Sequence, residues 1–175
     1  SMNIIVREAA PMVLQDELLE GQHDLLLTQL PVRSSDLEVE RLFREPLKLA
    51  VAPGHPLATL AEAEDRDLEA QDVLTLSSSY VLHKQVADLC RDIGATLRQE
   101  YEGNSLDALR QMAALGMGIT LLPALYVQSE VPPGASNVSV LPFRKDRFTR
   151  SVGLAWRRQS RHRRIAELRG IAQDR

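Results

Sequence analysis

The clearest pattern of apolar and polar positions lies in residues 103–127, GNSLDALRQMAALGMGITLLPALYV. Five apolar residues recur there at the spacing of one helix face: Leu106, Leu109, Met112, Ala113 and Leu115. Asn104 or Ser105 is placed to cap this helix through a side-chain oxygen. Gly116 and Gly118 are placed to end it, since glycine takes a positive φ without penalty. The pattern predicts a helix, a glycine turn and a strand, which is half of a β-α-β unit.

Short apolar runs predict strands along the rest of the chain. Residues 119–122 form one such run after the glycine turn, and Pro123 ends it. The other predicted strands cover residues 3–6, 24–28, 47–51, 73–76, 97–101, 138–141 and 151–156. The run at residues 24–28 does not alternate, so that strand is expected to be fully buried.

Two further helices are predicted from apolar spacing, at residues 12–21 and 82–93. Val13, Leu14 and Leu18 are expected to face inward in the first, and Gly94 ends the second. The acidic residues 62–71 predict a short surface turn. Because strands alternate with helices, the sequence favours an α/β fold built on parallel sheets.

Composition is ordinary for a globular chain that buries a core in one domain or two small subdomains. Of its 175 residues, 44% are hydrophobic and 26% are charged. No run approaches the roughly 18 apolar residues that a membrane span requires. The first residues have neither the basic start nor the apolar centre of a signal peptide. Cys90 is the only cysteine, which excludes a disulfide within these residues and fits a cytoplasmic protein.

Charge is distributed unevenly along the chain. Residues 1–143 contain 10 Lys and Arg against 21 Asp and Glu, whereas residues 144–175 contain 11 against 3. A basic C-terminal stretch is one signature of nucleic-acid contact. The alternative, which we favour, is a docked helix with its arginines on the solvated side. Ile165, Leu168 and Ile171 would form the apolar stripe of that helix.

The segment SLDALRQMAALGMGITLLP, residues 105–123, resembles a motif in the effector-binding domain of LysR-type transcriptional regulators. Other parts of the chain agree with the family in order and spacing. These are LEGQHDL at residues 19–25, FREPL at 43–47, VAPGHPL at 51–57 and SVGLAWR at 151–157. The similarity covers essentially the whole chain. Within the family the chain is most similar to the OxyR subgroup, which responds to hydrogen peroxide.

This resemblance implies a periplasmic-binding-protein-like α/β fold, with two α/β subdomains joined by crossover strands. Residues 1–44 and 151–175 would form regulatory subdomain I, and residues 45–150 would form regulatory subdomain II. Family members normally open with a further strand and helix before the strand that matches residues 3–6. We therefore expect the first subdomain to be N-terminally truncated here, with a sheet edge exposed.

The resemblance also implies an effector site in a cleft between the subdomains. Ligands of open α/β sheets bind where strand ends meet helix starts, and the N–H groups there favour hydrogen-bond-accepting or anionic ligands. The expected effector-binding residues are Pro11, Thr28, Ser79, Tyr80, Val81, Asn104 and Ser105. The alternative for each polar cluster is ordinary loop and capping chemistry, which is the better interpretation without the family resemblance.

Several residues depart from the peroxide-sensing pattern of the OxyR subgroup. That subgroup has Gly-His-Cys at the positions of Ser79, Tyr80 and Val81, and its cysteine reacts with peroxide. Cys90 stands at the position of the second, resolving cysteine, and Pro11 replaces a hydroxyl residue near the peroxide. Since valine has no thiol, peroxide sensing through an intramolecular disulfide is not expected. Cys90 is expected to be structural, because buried cysteine behaves as a small hydrophobe; the alternative is a lone sensor thiol.

The family resemblance further implies a homodimer or tetramer of the full-length protein, with Leu109, Met112 and Leu115 at the dimer interface. The four histidines show no metal-ligand spacing with Cys90. The sequence contains no nucleophile-elbow, P-loop or dinucleotide motif. We therefore expect no metal, no cofactor and no catalysis.

Three functions remain open from the sequence. The leading hypothesis is the regulatory domain of a LysR-type transcriptional regulator, which binds a small-molecule effector and reaches DNA only through a helix-turn-helix domain outside this chain. The alternative is a solute-binding protein of the same fold that serves transport and carries a signal peptide or a lipoprotein cysteine. The third is a thiol enzyme, which requires an exposed thiol of low pKa.

Overall fold

The structure is a computed structural model that describes residues 3–134 and 136–158. Contacts divide the chain into two compact units: unit 1 is Ser1–Phe43 with Ser151–Arg175, and unit 2 is Arg44–Arg150. The predicted C-terminal helix with Ile165, Leu168 and Ile171 lies outside the described residues. Most of the basic residues around that helix also lie outside the described residues, so the structure does not test a nucleic-acid role for them.

The helices and strands follow one another as the α/β class requires. The helices are α1 Pro11–Leu19, α2 Asp65–Leu68, α3 Val81–Ile93, α4 Leu106–Ala114 and α5 Ala124–Glu130. The strands are β1 Leu26–Gln29, β2 Leu37–Val51, β3 Asp72–Leu76, β4 Thr96–Gly103, β5 Ile119–Pro123, β6 Ser139–Pro142 and β7 Thr149–Arg157. Short 3-10 turns cover Pro56–Thr59 and Arg144–Asp146. The predicted α/β class is confirmed.

Unit 2 is built on a mixed sheet rather than the wholly parallel sheet that the alternation of elements predicts. β3 lies parallel to both β4 and β5. The last residues of β2 pair antiparallel with β5 and with β6. The apolar runs of β3 and β5 are buried along nearly their whole length, as expected for strands covered on both faces. Their side chains form the centre of the core, together with apolar residues from α3 and α4.

The glycine turn after α4 forms as predicted, but its two glycines serve different purposes. Gly116 has a φ of +75°, in the left-handed region that favours glycine. Gly118 does not have a positive φ. A Cβ on Gly118 would instead lie 2.8 Å from the main-chain oxygen of Asp72, so the close approach of β5 to β3 requires glycine there. The prediction of a positive φ is therefore wrong for Gly118.

Two helices in unit 2 are absent from the sequence prediction. Pro123 ends β5 but leads directly into α5, because proline is compatible with a helix start. The acidic segment that we predicted as a surface turn contains α2, whose Leu68 is fully buried. Glu64 and Asp67 form a reciprocal capping box at its start. Their acidic side chains stabilise the helix end, which explains how a short, charged segment forms a helix.

Unit 1 has a small buried cluster among its described residues, formed by Leu18, Leu26, Leu37 and Ala155. β1 pairs antiparallel with β7. The guanidinium of Arg157 donates to the main-chain oxygens of Leu18, at 2.5 Å, and His23, at 2.6 Å. Arg157 therefore ties the C-terminal end of α1 to the turn that leads into β1.

Three predictions for unit 1 are wrong, one about a strand and two about burial. Residues 3–10 contain no strand, and Ile5 is 95% exposed. Val13 is 44% exposed, and Leu27, in the strand predicted to be fully buried, is 60% exposed. The physical reason is common to all three: a strand or helix face is buried only where another element covers it, and no described element covers these side chains.

Candidate functional site

The polar loop between β3 and α3 leads into a helix whose first turn is not capped by a side chain. Ser77 and Ser79 lie in this loop, with their Oγ atoms 2.8 Å apart. The N-cap residue is Tyr80, and its side chain makes no bond to the first-turn amides. The amide of His83 in this turn donates to the main-chain oxygen of Tyr80 at 3.2 Å. The N–H groups before it have no partner within the helix and can bind a ligand or water.

The side chains of Tyr80 and His83 fix this loop in place. Tyr80 donates its hydroxyl hydrogen to the main-chain oxygen of Asn104, at 3.0 Å. His83 Nδ1 lies 2.8 Å from the main-chain oxygen of Leu76. Since a carbonyl oxygen can only accept, Nδ1 is the donor in this bond. The loop is thus held at both ends, by β3 and by the turn before α4.

The polar residues before α4 serve the structure of the chain. Ser105 caps α4, with its Oγ accepting a hydrogen bond from the amide of Ala108 at 3.1 Å. Asn104 contributes its main-chain oxygen to Tyr80. The structure therefore brings Ser79, Tyr80 and Asn104 together through the tyrosine bond, while the hydroxyl of Ser105 is occupied by capping.

Val81 is the first residue of α3, with an apolar side chain, and the two remaining predicted effector residues lie in unit 1. Pro11 is the first residue of α1, where its missing N–H costs nothing, and its side chain offers no polar atom. Thr28 lies in β1 opposite Gly153 of β7 and is half-buried. Both are thus accounted for by the helix start and the strand pairing of their own unit.

Thr75 is a polar residue near the loop that the sequence analysis missed. It is 1% exposed, and its Oγ1 makes no hydrogen bond within the described part of the chain. A buried hydroxyl without a partner costs free energy. Thr75 lies near the end of β3, two residues before Ser77. The signal was present in the sequence as the single polar residue of the run VLTL.

Cys90 lies on the inner face of α3, three turns along the helix from the polar loop. It is 3% exposed, and burial raises the pKa of its thiol to about 11. The reactive form of cysteine is the thiolate, and burial in apolar surroundings disfavours it. Cys90 is thus packed in the core of unit 2, in surroundings that disfavour its thiolate.

The three residues predicted for a dimer interface have different environments. Leu109 is 1% exposed and belongs to the core, so it is not available to a partner. Met112 is half-buried against that core, and Leu115 is 79% exposed. The inclusion of Leu109 is corrected for a simple reason: it lies on the face of α4 that packs on β3 and β5.

The described residues show neither a metal site nor a membrane-spanning helix. No group of three or more His, Cys, Asp or Glu side chains in residues 3–134 and 136–158 is arranged to hold a metal ion. None of the helices described here is long and apolar enough to cross a membrane.

The described residues form a mixed α/β fold, and solved structures of the periplasmic-binding-protein-like class share it. The family model described as the LysR substrate binding domain matches residues 1–175. The chain therefore belongs to this family.

Individual relatives agree with this assignment. The chain is 33% identical over 171 residues to the DNA-binding transcriptional dual regulator OxyR of Escherichia coli K12, covering 95% of this chain and 55% of that protein. It is 27% identical over 154 residues to the transcriptional dual regulator GltC of Bacillus subtilis, covering 87% and 50%. The chain thus spans about half the length of the curated relatives it matches.

Solved structures show the same fold. The crystal structure of the oxidized form of OxyR matches with a TM-score of 0.85 and 32% identity, covering 99% of this chain and 81% of that one. An H2O2-bound mutant of Corynebacterium glutamicum OxyR matches with a TM-score of 0.80 and 28% identity, covering 93% and 52%. The curated relatives OxyR and GltC are transcriptional regulators by name, and the match supports a regulatory rather than a transport role.

Proposed function

We propose that this chain is the effector-sensing regulatory domain of a LysR-type transcriptional regulator. The observation that carries the proposal is the match of the LysR substrate binding domain over residues 1–175, together with the uncapped start of α3. In the full-length protein, a helix-turn-helix domain outside this chain would contact DNA. Residues 1–44 with 151–175 and residues 45–150 would act as regulatory subdomains I and II of a cytoplasmic homodimer or tetramer.

The effector contacts we propose begin at the loop before α3. Ser79, Tyr80 and Val81 stand at the helix start, where the first-turn amides favour a ligand that accepts hydrogen bonds. Asn104 supports the loop by accepting the tyrosine bond, whereas the hydroxyl of Ser105 caps α4. Effector contacts by these two residues stay predictions from the family resemblance. The contributions of Pro11 and Thr28 stay predictions from the family resemblance.

We further propose that this domain does not sense peroxide through an internal disulfide. Val81 offers no thiol at the helix start, and Cys90 is the only cysteine among the 175 residues. The buried position of Cys90 and its raised pKa support a structural role. Peroxide as a directly bound effector stays open to test, since a mutant OxyR from another organism is described as H2O2-bound.

A thermal-shift screen of small metabolites, with hydrogen peroxide included, tests the proposal. A ligand at a hundred times its Kd adds about 2.7 kcal/mol to stability, which is about 5–10 °C in Tm for a domain of this size. Ser79→Ala and Tyr80→Phe should each reduce that shift. Ser129→Ala, on the exposed surface of α5, is the matched control. A shift that survives both site variants unchanged would place the effector elsewhere.

A further inference from the structure

Glu45 is a buried carboxylate in unit 2, and both of its oxygens accept hydrogen bonds. The residue is 4% exposed. Its Oε1 lies 2.6 Å from Nε of Arg150, and its Oε2 accepts from the amide of Leu125 at 2.8 Å. A buried charge persists only where it is paired and hydrogen-bonded. The carboxylate therefore binds the side chain of Arg150 in β7 and the first turn of α5 at the same time.

This ion pair lies beside the strands through which the chain passes between the units. Glu45 is the second residue of unit 2, in β2, and Arg150 is its last, in β7. The two segments are also bonded through the main chain, since the amide of Leu47 donates to the oxygen of Phe148 at 2.8 Å. Both crossing segments are thus fixed to each other and to α5.

Helix α3 is bonded to the same place. Nε2 of Gln85 donates to the main-chain oxygen of Thr149 at 2.6 Å. Gln85 lies one turn after Val81, and Thr149 directly precedes Arg150. A continuous set of hydrogen bonds therefore leads from the early turns of α3 to β7, then to the carboxylate in β2, and from there to α5.

We propose that Gln85 and Glu45 couple the start of α3 to both crossing segments, so that a displacement of α3 is transmitted to β2 and β7. The coupling is a property of the ligand-free chain. Its regulatory meaning rests on the proposed effector site at the start of α3. Since coupling between two elements is reciprocal, it must be measurable in both directions.

The forward test removes the hydrogen bond of Gln85 and measures amide hydrogen exchange by NMR. The probes are the amides of Leu47 and Leu125, which donate to Phe148 and to Glu45. Gln85→Met should accelerate exchange at both probes about five-fold, the factor that corresponds to one hydrogen bond worth about 1 kcal/mol. Lys84→Met, on the exposed side of the same helix, is the matched control and should leave both probes unchanged.

The reverse test changes Glu45→Gln, which keeps the size of the side chain and removes its charge. Exchange at the amides of Gln85 and Val86 should then increase, as well as at Leu125. The Glu45→Gln variant also tests the proposal if the Gln85→Met variant does not fold. Changes confined to α5, or an acceleration at Leu121 equal to that at the probes, would overturn the proposal. Neither test uses an effector, so a failed ligand screen and a failed coupling test are separate results.

Discussion

Helices α3 and α4 both follow polar loops and both pack against β3, yet their first turns differ. In α4 the hydroxyl of Ser105 caps the amide of Ala108. In α3 the N-cap residue Tyr80 points its hydroxyl to Asn104 and leaves the first turn without a side-chain cap. The comparison shows that a polar residue before a helix does not by itself indicate a ligand site. The site we propose is at the helix whose start the chain leaves uncapped.

The inner faces of the two helices resemble each other more than their starts do. α3 buries Leu82, Val86 and Cys90, and α4 buries Leu109 and Ala113. Both helices therefore contribute to the core through one face. What distinguishes them functionally is confined to their first turns and to their outer surfaces.

The largest effect is expected from the inner face of α4. Leu109→Ala should lower the free energy of unfolding by about 3 kcal/mol, because it removes buried methyl groups and leaves a cavity. Leu115→Ala, on the exposed side of the same helix, should change it by less than about 0.5 kcal/mol. Urea denaturation of the two variants measures both values. Similar losses for the two would contradict the assignment of Leu109 to the core.

The parts of the fold that were predictable from sequence are those in which local signals and burial agree. α4 has a cap, a periodic apolar face and a glycine stop, and residues 119–122 have a continuous apolar run. Each signal is local in the chain and indicates the same element. For this reason the helix, the turn and the strand were predicted nearly to the residue.

The parts that were missed depend on contacts between distant residues. The main chain of Asp72 leaves no room for a Cβ atom on Gly118. Glu45 lies buried because its carboxylate is bonded to Arg150 and to the amide of Leu125. Such contacts leave no periodic signal in a single sequence. The exposure of Ile5 was missed for the same reason. An apolar run forms a strand only where a neighbouring strand pairs with it, and that pairing depends on distant residues. The candidate site was predictable as a polar loop, but its uncapped helix start was not.

The next effect concerns Cys90 on the inner face of α3. With a pKa of about 11 instead of 9.0, its thiolate fraction at pH 8 is about a hundred-fold lower, so labelling of the native protein should be slow and insensitive to peroxide. Burial favours the neutral thiol in the folded state. Cys90 therefore lowers stability as pH rises from about 9 towards 11 and has no effect below that window.

Labelling with a thiol reagent in native and in urea-unfolded protein measures the protection of Cys90. Unfolded protein provides the control for the intrinsic rate. Fast native labelling that disappears after peroxide treatment would contradict a structural Cys90 and would restore the hypothesis of a lone sensor thiol.

A smaller effect compares the two helix starts directly. Ser105→Ala should lower the free energy of unfolding by about 1 kcal/mol, because it removes the cap of α4. Ser79→Ala removes only a hydroxyl contact within the loop and should cost less than about 0.5 kcal/mol. Thermal and urea unfolding of both variants provides the comparison. An equal cost for the two would mean that Ser79 also has a structural role, and the contrast between the helix starts would be lost.

The last effect is expected at the bond that joins the loop before α3 to the turn before α4. Tyr80→Phe removes the hydroxyl that donates to Asn104 but keeps the ring, so the free energy of unfolding should fall by about 0.5–1 kcal/mol. The loss should appear as faster amide exchange in the loop before α3, with the amides of β5 unaffected. Tyr101→Phe, at an exposed tyrosine of β4, is the control for removing a phenol hydroxyl. If Tyr80→Phe leaves the loop as protected as before, the bond to Asn104 does not order it.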